Sequence, residues 1–344
     1  MSWLSDPEED DGAYSEYDEA SIRVRPNPKA NKPRSKLRPE HKDAVSGRVF
    51  SVDRGRYGVW VGENTPDERQ LVATRARELG KKSVVTGDWV DLVGDTTGDE
   101  GSLSRIVRIQ ERSTLLRRSA DDTDAVERII VANADQMLIV VAAANPEPRT
   151  RLVDRYLVAA FDAGITPILC ITKTDLADPA EFLSNFAGLD FTVFESRDDD
   201  FPIEEITAAL QGHTTVAVGH SGVGKSTLVN ALVPDANRAI GRVNDVTGRG
   251  RHTSSSTVSL RIGSGWIVDT PGVRSFGLGH VDPANILKSF TDLAEISLDC
   301  PRGCTHLPGS PDCAIIERVE SGDLGEMGRL RLDSLQRLLT TLAA

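Results

Sequence analysis

Gly219-His220-Ser221-Gly222-Val223-Gly224-Lys225-Ser226 is the stretch on which the reading turns. It satisfies the phosphate-loop pattern G-x-x-x-x-G-K-[ST]. A β-rich run, residues 214–218, precedes it, and Ser226-Thr227-Leu-Val-Asn-Ala-Leu follows with the spacing of an apolar helix. That is the strand, loop and helix context the motif requires. Glycines there let backbone N–H groups curl round phosphates. Lys225 is expected to neutralise the β- and γ-phosphates, and the Ser226 hydroxyl to hold Mg²⁺.

Three further stretches gain meaning from this one. Asp269-Thr-Pro-Gly272 closes the strand-like Gly265-Trp-Ile-Val268. An acid at a strand end after a phosphate loop is where a Mg²⁺-holding carboxylate sits, and Gly272 lets a backbone N–H approach the γ-phosphate. Thr172-Lys173-Thr174-Asp175 follows a strand ending at Ile171. It has the form [N/T]-K-x-D, in which the Asp carboxylate accepts from guanine N1–H and N2–H₂. Adenine lacks that donor pair and would leave the carboxylate unpartnered. A bare helix cap at Asp175 is the alternative. Between the phosphate motifs lies Gly248-Arg-Gly-Arg-His252-Thr253-Ser-Ser-Ser-Thr257. Thr253 is the expected Mg²⁺ ligand of this loop. Position 273 is Val, where Ras-like enzymes place a water-orienting Gln, so His252 becomes the candidate for that task. A solvated loop histidine is its alternative.

The order of these motifs is unusual. The guanine-type element precedes the phosphate loop, and Asp269-Thr-Pro-Gly272 comes last. The same sheet can be threaded that way if its chain is cut and rejoined where termini lie close.

Beyond them, Cys300-Pro-Arg-Gly-Cys304-Thr-His306-x₆-Cys313 places four nitrogen and sulfur ligands in fourteen residues, the spacing of a closed, structural Zn²⁺ site. Cys170, the fourth cysteine, lies in an apolar strand and reads as core.

The rest of the chain supplies the frame. From about residue 126, apolar strand-length runs alternate with helical spacing, near 136–142, 151–163, 167–171, 178–187, 191–194, 203–211, 214–218, 257–262 and 265–269. Alternation of this kind means a mostly parallel sheet with helices on both faces, and nucleotides bind beyond the carboxyl ends of such strands. Residues 46–110 read instead as five short strands separated by Gly and Asp turns, which suits a small barrel, an OB-fold first. Tyr57 and Trp60 are candidates to stack on bases there, with barrel core as the alternative. Residues 1–20 hold eight acids and no base, while 21–43 hold eight bases against Glu40 and Asp43. That composition reads as a charged, disordered tail with a basic arm able to touch RNA phosphates.

Composition narrows the class. The 344 residues are 39% hydrophobic and 27% charged, with four cysteines, as expected of a globular chain of two or three domains rather than a disordered or disulfide-stapled one. The longest apolar run, Met137 to Ala144, is far short of the ~18 residues of a membrane span. No basic-then-apolar segment opens the chain, and a cytoplasmic monomer is expected. A net charge of −12 argues against a diffusely basic nucleic-acid coat but leaves a local basic patch open.

Together the permuted motif order, the Gly-Arg-Gly-Arg-His-Thr loop, the D-x-P-G element followed by an apolar residue and the Cys-Cys-His-Cys site resemble the RsgA (YjeQ/EngC) GTPases, which depend on the small ribosomal subunit. The resemblance spans about residues 46–344. It implies an N-terminal OB-fold on rRNA (46–118), a circularly permuted P-loop GTPase domain (119–278) and a zinc-bound helical domain (279–344), behind the tail (1–45). It also implies GTP/GDP, Mg²⁺ and one structural Zn²⁺, and a role in late maturation of the small subunit with hydrolysis stimulated by it. An α/β multidomain GTPase is therefore the expectation. An ordinary P-loop ATPase or kinase, and an rRNA-tethering protein that merely senses GTP, are its rivals.

Overall fold

The computed structural model describes residues 41–343 apart from 54, 81, 100, 120–126, 199, 235–256, 271–275 and 277. Strand β8 (Gln136–Ala142) shows why its core forms. Met137, Ile139 and Val141 point into one apolar cluster, and Leu138, Val140 and Ala142 into another. The two-residue period of a strand divides a continuous apolar run between two faces, as in a parallel sheet covered on both sides. β8 is flanked by β9 (Thr166–Thr172) and β11 (Thr214–Gly219); β10 (Thr192–Glu195) and β13 (Gly265–Asp269) lie outside these. All five run parallel, so their carboxyl ends meet at one edge.

Helices α1 (Thr150–Asp162) and α2 (Ala180–Ser184) leave β8 and β9, α3 (Ile203–Leu210) leaves β10, and α4 (Lys225–Leu232) leaves β11. The first face carries α1 together with four C-terminal helices: α5 (Pro283–Lys288), α6 (Thr291–Ile296), α7 (Ala314–Glu320) and α8 (Gly325–Ala343). Ile286, Phe290, Leu293, Ile315, Leu335 and Leu338 belong to the same buried cluster as Tyr156 and Leu157 of α1. The zinc-type residues thus sit in the loop between α6 and α7, two helices that share a core with the sheet. Contact is close enough that a Cβ added at Gly188 would lie 2.3 Å from the Leu330 carbonyl of α8. No helix among the described residues is long and apolar enough to cross a membrane.

The amino-terminal strands β1 (Val45–Asp53), β2 (Arg56–Val61), β3 (Arg69–Arg75), β4 (Trp89–Gly94) and β5 (Ser104–Ile109) pair in the order β1-β2-β3-β5-β4, and β4 returns to β1. Val49, Val59, Leu71, Val90, Leu92 and Ile106 fill this five-stranded, OB-like barrel. Tyr57 is also inside it, 6% exposed, so it is barrel core and not a base-stacking platform. Trp60 packs on the outside against Phe50 and against Trp266 of β13, with ring centroids at 6.0 and 6.1 Å. It serves the junction with the GTPase-type sheet.

That junction is made by backbone pairing between strands. β12 (Val258–Ile262) pairs antiparallel with β13 and meets β1 at Ser51 opposite Val258, which joins barrel and parallel strands into eleven strands. Arg48 is buried beside it, its guanidinium 5.3 Å from the Trp266 ring centroid and 5.9 Å from that of Trp89. It donates to the Thr214 hydroxyl at 2.5 Å. A separate hairpin, β6 (Leu115–Ser119) with β7 (Glu127–Ala132), links the two regions and has no counterpart in the sequence reading.

Candidate nucleotide site and metal centre

The phosphate-type loop leaves β11 at Gly219 and enters α4 at Lys225. Gly222 (φ 83°) and Gly224 (φ 90°) occupy the left-handed region, which glycine enters without steric cost. Val223 turns its side chain into the core below, 3% exposed, while Ser221, Ser226 and Thr227 face outward. His220 donates its Nδ1–H to the Ser221 carbonyl at 3.0 Å.

β13 lies beside β11 with Asp269 opposite Ala217. This brings the Asp269 carboxylate onto the Lys225 ammonium as an ion pair. Thr270 follows, buried, its hydroxyl donating to the Ala217 carbonyl at 2.9 Å. Gly272, His252 and Thr253 lie outside the described residues.

The guanine-type element leaves β9, the other neighbour of β8. Thr172 is buried and donates to the Val223 carbonyl at 2.6 Å. Lys173 (φ 58°) extends its ammonium to the carbonyl of Gly222 at 2.9 Å and to that of Asn145. Thr174 is held by its hydroxyl on the Ser196 carbonyl at 3.0 Å. One Asp175 carboxylate oxygen accepts from the Asp198 N–H at 2.8 Å. Asp175 opens on a cleft of about 650 Å³, lined also by Thr174, Asp178, Glu195, Arg197 and Phe201.

Two contributors escaped the sequence reading. The segment after β8 reaches the loop through Asn145, and Pro146 stands against Gly222. Its signal was its place after the central strand, where a doubly wound sheet opens its crevice. Lys173, through its ammonium, links three loops.

The donors fit the ions the motifs suggest. Ser226 and Asp269 offer the hard oxygens that Mg²⁺ takes. In the second centre, the ligand atoms of Cys300, Cys304, His306 and Cys313 lie within 4.8 Å of one another. The Cys300–Cys313, Cys300–His306 and Cys313–His306 separations are 3.9, 3.8 and 3.6 Å. A tetrahedron with ordinary Zn–S and Zn–N bonds has edges of about 3.5–3.8 Å. Burial pushes the Cys313 thiol up to about 11 and lowers the His306 pKa. A neutral imidazole is already the ligand form, and a thiolate at Cys313 calls for a cation beside it. Gln336 of α8 donates to the His306 carbonyl at 3.0 Å and ties this knuckle to the helical face.

A parallel sheet with a phosphate loop and a T-K-x-D element at one edge, the latter first in the chain, defines a P-loop protein of circularly permuted GTPase type. The RsgA GTPase family model matches residues 109–279. A Pseudomonas aeruginosa protein named small ribosomal subunit biogenesis GTPase RsgA is 37% identical over 253 residues, 70% of this chain and 71% of its own. A protein of the same name from Azotobacter vinelandii is 34% identical over 273 residues, 76% and 75% of the two chains. The structure of YloQ, described as a circularly permuted GTPase, matches with a TM-score of 0.64 and 26% identity, covering 89% of this chain and 98% of that one. YjeQ from Thermotoga maritima shares the fold, with a TM-score of 0.63, 24% identity and coverage of 88% and 99%. The chain belongs to the RsgA GTPase family and is a GTP hydrolase.

Proposed function

We propose that this chain hydrolyses GTP at the edge formed by β9, β11 and β13 and acts in late maturation of the small ribosomal subunit, which stimulates its turnover. One observation carries the reading: the Asp175 cleft and the Lys225–Asp269 pair lie at the same sheet edge, tied together by Thr172 and Lys173. Asp175 reads guanine, residues 219–224 cradle the phosphates with their backbone N–H groups, and Lys225 leaves Asp269 for the β- and γ-phosphates. Mg²⁺, when bound, neutralises phosphate charge; Ser226 and Asp269, with Thr253, would hold it. Gly272 faces the γ-phosphate and His252 orients the attacking water. Cys300, Cys304, His306 and Cys313 hold one structural Zn²⁺. The barrel contacts rRNA, the tail supplies a basic arm, and the protein works as a cytoplasmic monomer. The names of its relatives and its family support this assignment.

The test is phosphate release from GTP and from ATP, alone and with purified small or large ribosomal subunits. GTP turnover stimulated by the small subunit only, and lost in Lys225→Ala, is expected. Equal, unstimulated use of both nucleotides would overturn the proposal.

A further inference from the structure

Guanine presents two edges to a protein. N1–H and N2–H₂ donate on one, while O6 and N7 accept on the next. Asp175 serves the first edge only, because an ionised carboxylate carries acceptors and no donor. The second edge needs an N–H or O–H from elsewhere in the cleft.

The side-chain donors nearest to Asp175 are already engaged. The Thr172 hydroxyl is spent on the Val223 carbonyl, and the Lys173 ammonium on the carbonyls of Gly222 and Asn145. The Thr174 hydroxyl is spent on the Ser196 carbonyl. Asp178, Glu195 and Asp200 line the same cleft and, when ionised, bring only further acceptors. Among the described residues, Arg197 is the one side chain of the cleft that still has donors to give. It is exposed, and its guanidinium has no hydrogen-bond or ion-pair partner among them.

The backbone of Arg197 is meanwhile fixed beside Asp175. Ser196, before it, is 2% exposed; its N–H donates to the Ile171 carbonyl at 2.8 Å, and its own carbonyl takes the Thr174 N–H at 3.0 Å. Asp198, after it, gives its N–H to an Asp175 carboxylate oxygen at 2.8 Å. The Asp200 N–H closes the turn on the Arg197 carbonyl at 2.7 Å. Residue 197 is thus pinned from both sides to the element that carries Asp175, while its side chain is left to reach a ligand.

We propose that Arg197 is a specificity-determining residue: its guanidinium reads O6 and N7 of the guanine whose N1 and N2 are read by Asp175. This rests on the reading of the Asp175 cleft as the guanine site. Two parallel N–H groups of one guanidinium reach two adjacent acceptors at once. Adenine places its N6–H₂ donor where guanine has O6, so the same fork meets one acceptor and one donor. Arg197 therefore adds to the discrimination that Asp175 sets, from the opposite chemical sign.

The experiment titrates GDP, 7-deaza-GDP and ADP calorimetrically into the full-length protein, Arg197→Met and Arg197→Lys. 7-Deaza-GDP keeps O6 and the N1 and N2 donors and lacks the N7 acceptor. The parent is expected to bind GDP about tenfold tighter than 7-deaza-GDP, within the range of a bidentate base contact. Arg197→Met should bind GDP about tenfold more weakly than the parent and no longer tell it from the analogue. Arg197→Lys, a point charge without the fork, should restore only part of that preference. The side chain is exposed and unpartnered, so both variants are expected to fold as the parent does. A merely structural role would weaken all three nucleotides together and leave the GDP to 7-deaza-GDP ratio where it was. That result, a parent indifferent to N7, or an Arg197→Met protein that binds GDP as the parent does because the residue 197 backbone N–H reads O6, overturns the proposal. A parent that binds ADP as tightly as GDP overturns the guanine reading of the cleft itself, whereas a GDP preference with an unchanged analogue ratio in Arg197→Met overturns the role of Arg197 alone.

Discussion

The Thr172 hydroxyl donates to the carbonyl of Val223 at 2.6 Å, so the first residue of the base-side element is a strut of the phosphate loop. Both partners are buried. Thr172→Val keeps the shape and removes the donor, and an orphaned buried carbonyl costs about 1–3 kcal/mol. GDP and GTP affinity should both fall by about tenfold or more, a factor worth 1.4 kcal/mol. Titration of a fluorescent guanine nucleotide, with ATP as control, checks this. A loss of guanine preference instead would mean Thr172 contacts the base.

Asp175→Asn tests the base side. The Asp175 oxygen that accepts from the Asp198 N–H keeps an acceptor in the variant, so the 175–198 contact survives. The variant loses the carboxylate's double acceptance and turns an N–H₂ toward guanine's donors. The ratio of GDP to ADP affinity should drop by about a hundredfold or more. Isothermal titration with both nucleotides measures it directly.

Metal removal tests the knuckle. Elemental analysis should find one zinc per chain. Chelation, or Cys304→Ser, should lower the Tm of the whole molecule in one transition rather than melt a tail piece, because the knuckle's helices share their core with α1 and the sheet. Calorimetry that resolves an early, separate transition would contradict that coupling.

Asp154 offers a pH signature. Burial raises its pKa from 3.8, and the nearby Arg337 offsets this only in part. A raised carboxyl pKa means the folded state binds this proton before the unfolded chain does. Its contribution therefore falls as pH rises from about 3.9 through the folded-state value. Asp154→Asn removes the slope. The stability difference, parent minus variant, should be larger below about pH 3.9, the unfolded value, than at pH 7 in urea unfolding.

Much of this was legible in the chain itself. The runs at 45–61 and 69–75 are bounded by turn residues, 136–142 is an apolar run of buried-strand length, and the phosphate loop brings its own strand and helix. Tyr57 could have been placed by the two-residue period of its strand, since it shares the inward parity of Val59 and Val61. Other features depend on partners remote in sequence. The β6–β7 hairpin groups its apolar residues in short blocks, Leu115–Leu116 and Ile129–Ala132, and lacks alternation. Trp60 acquires its role only because Trp266, some two hundred residues on, arrives at the same face. The union of α5–α8 with α1 follows from packing, and the composition of residues 279–344 announces only helices. Lys173 was legible as part of its motif, but its carbonyl partners, Asn145 and Gly222, stand on loops remote from it in sequence.

The seam between barrel and sheet has a spectroscopic consequence. The chain contains four tryptophans, and Trp60, Trp89 and Trp266 crowd the seam around Arg48. Excitation near 295 nm therefore samples this joint, with Trp3 as the other emitter. A fixed positive charge beside two indoles, and their burial at this seam, set the emission wavelength, which parting and hydration would shift. The protein carries its own optical gauge of whether the barrel stays docked while the opposite edge of the sheet turns over nucleotide.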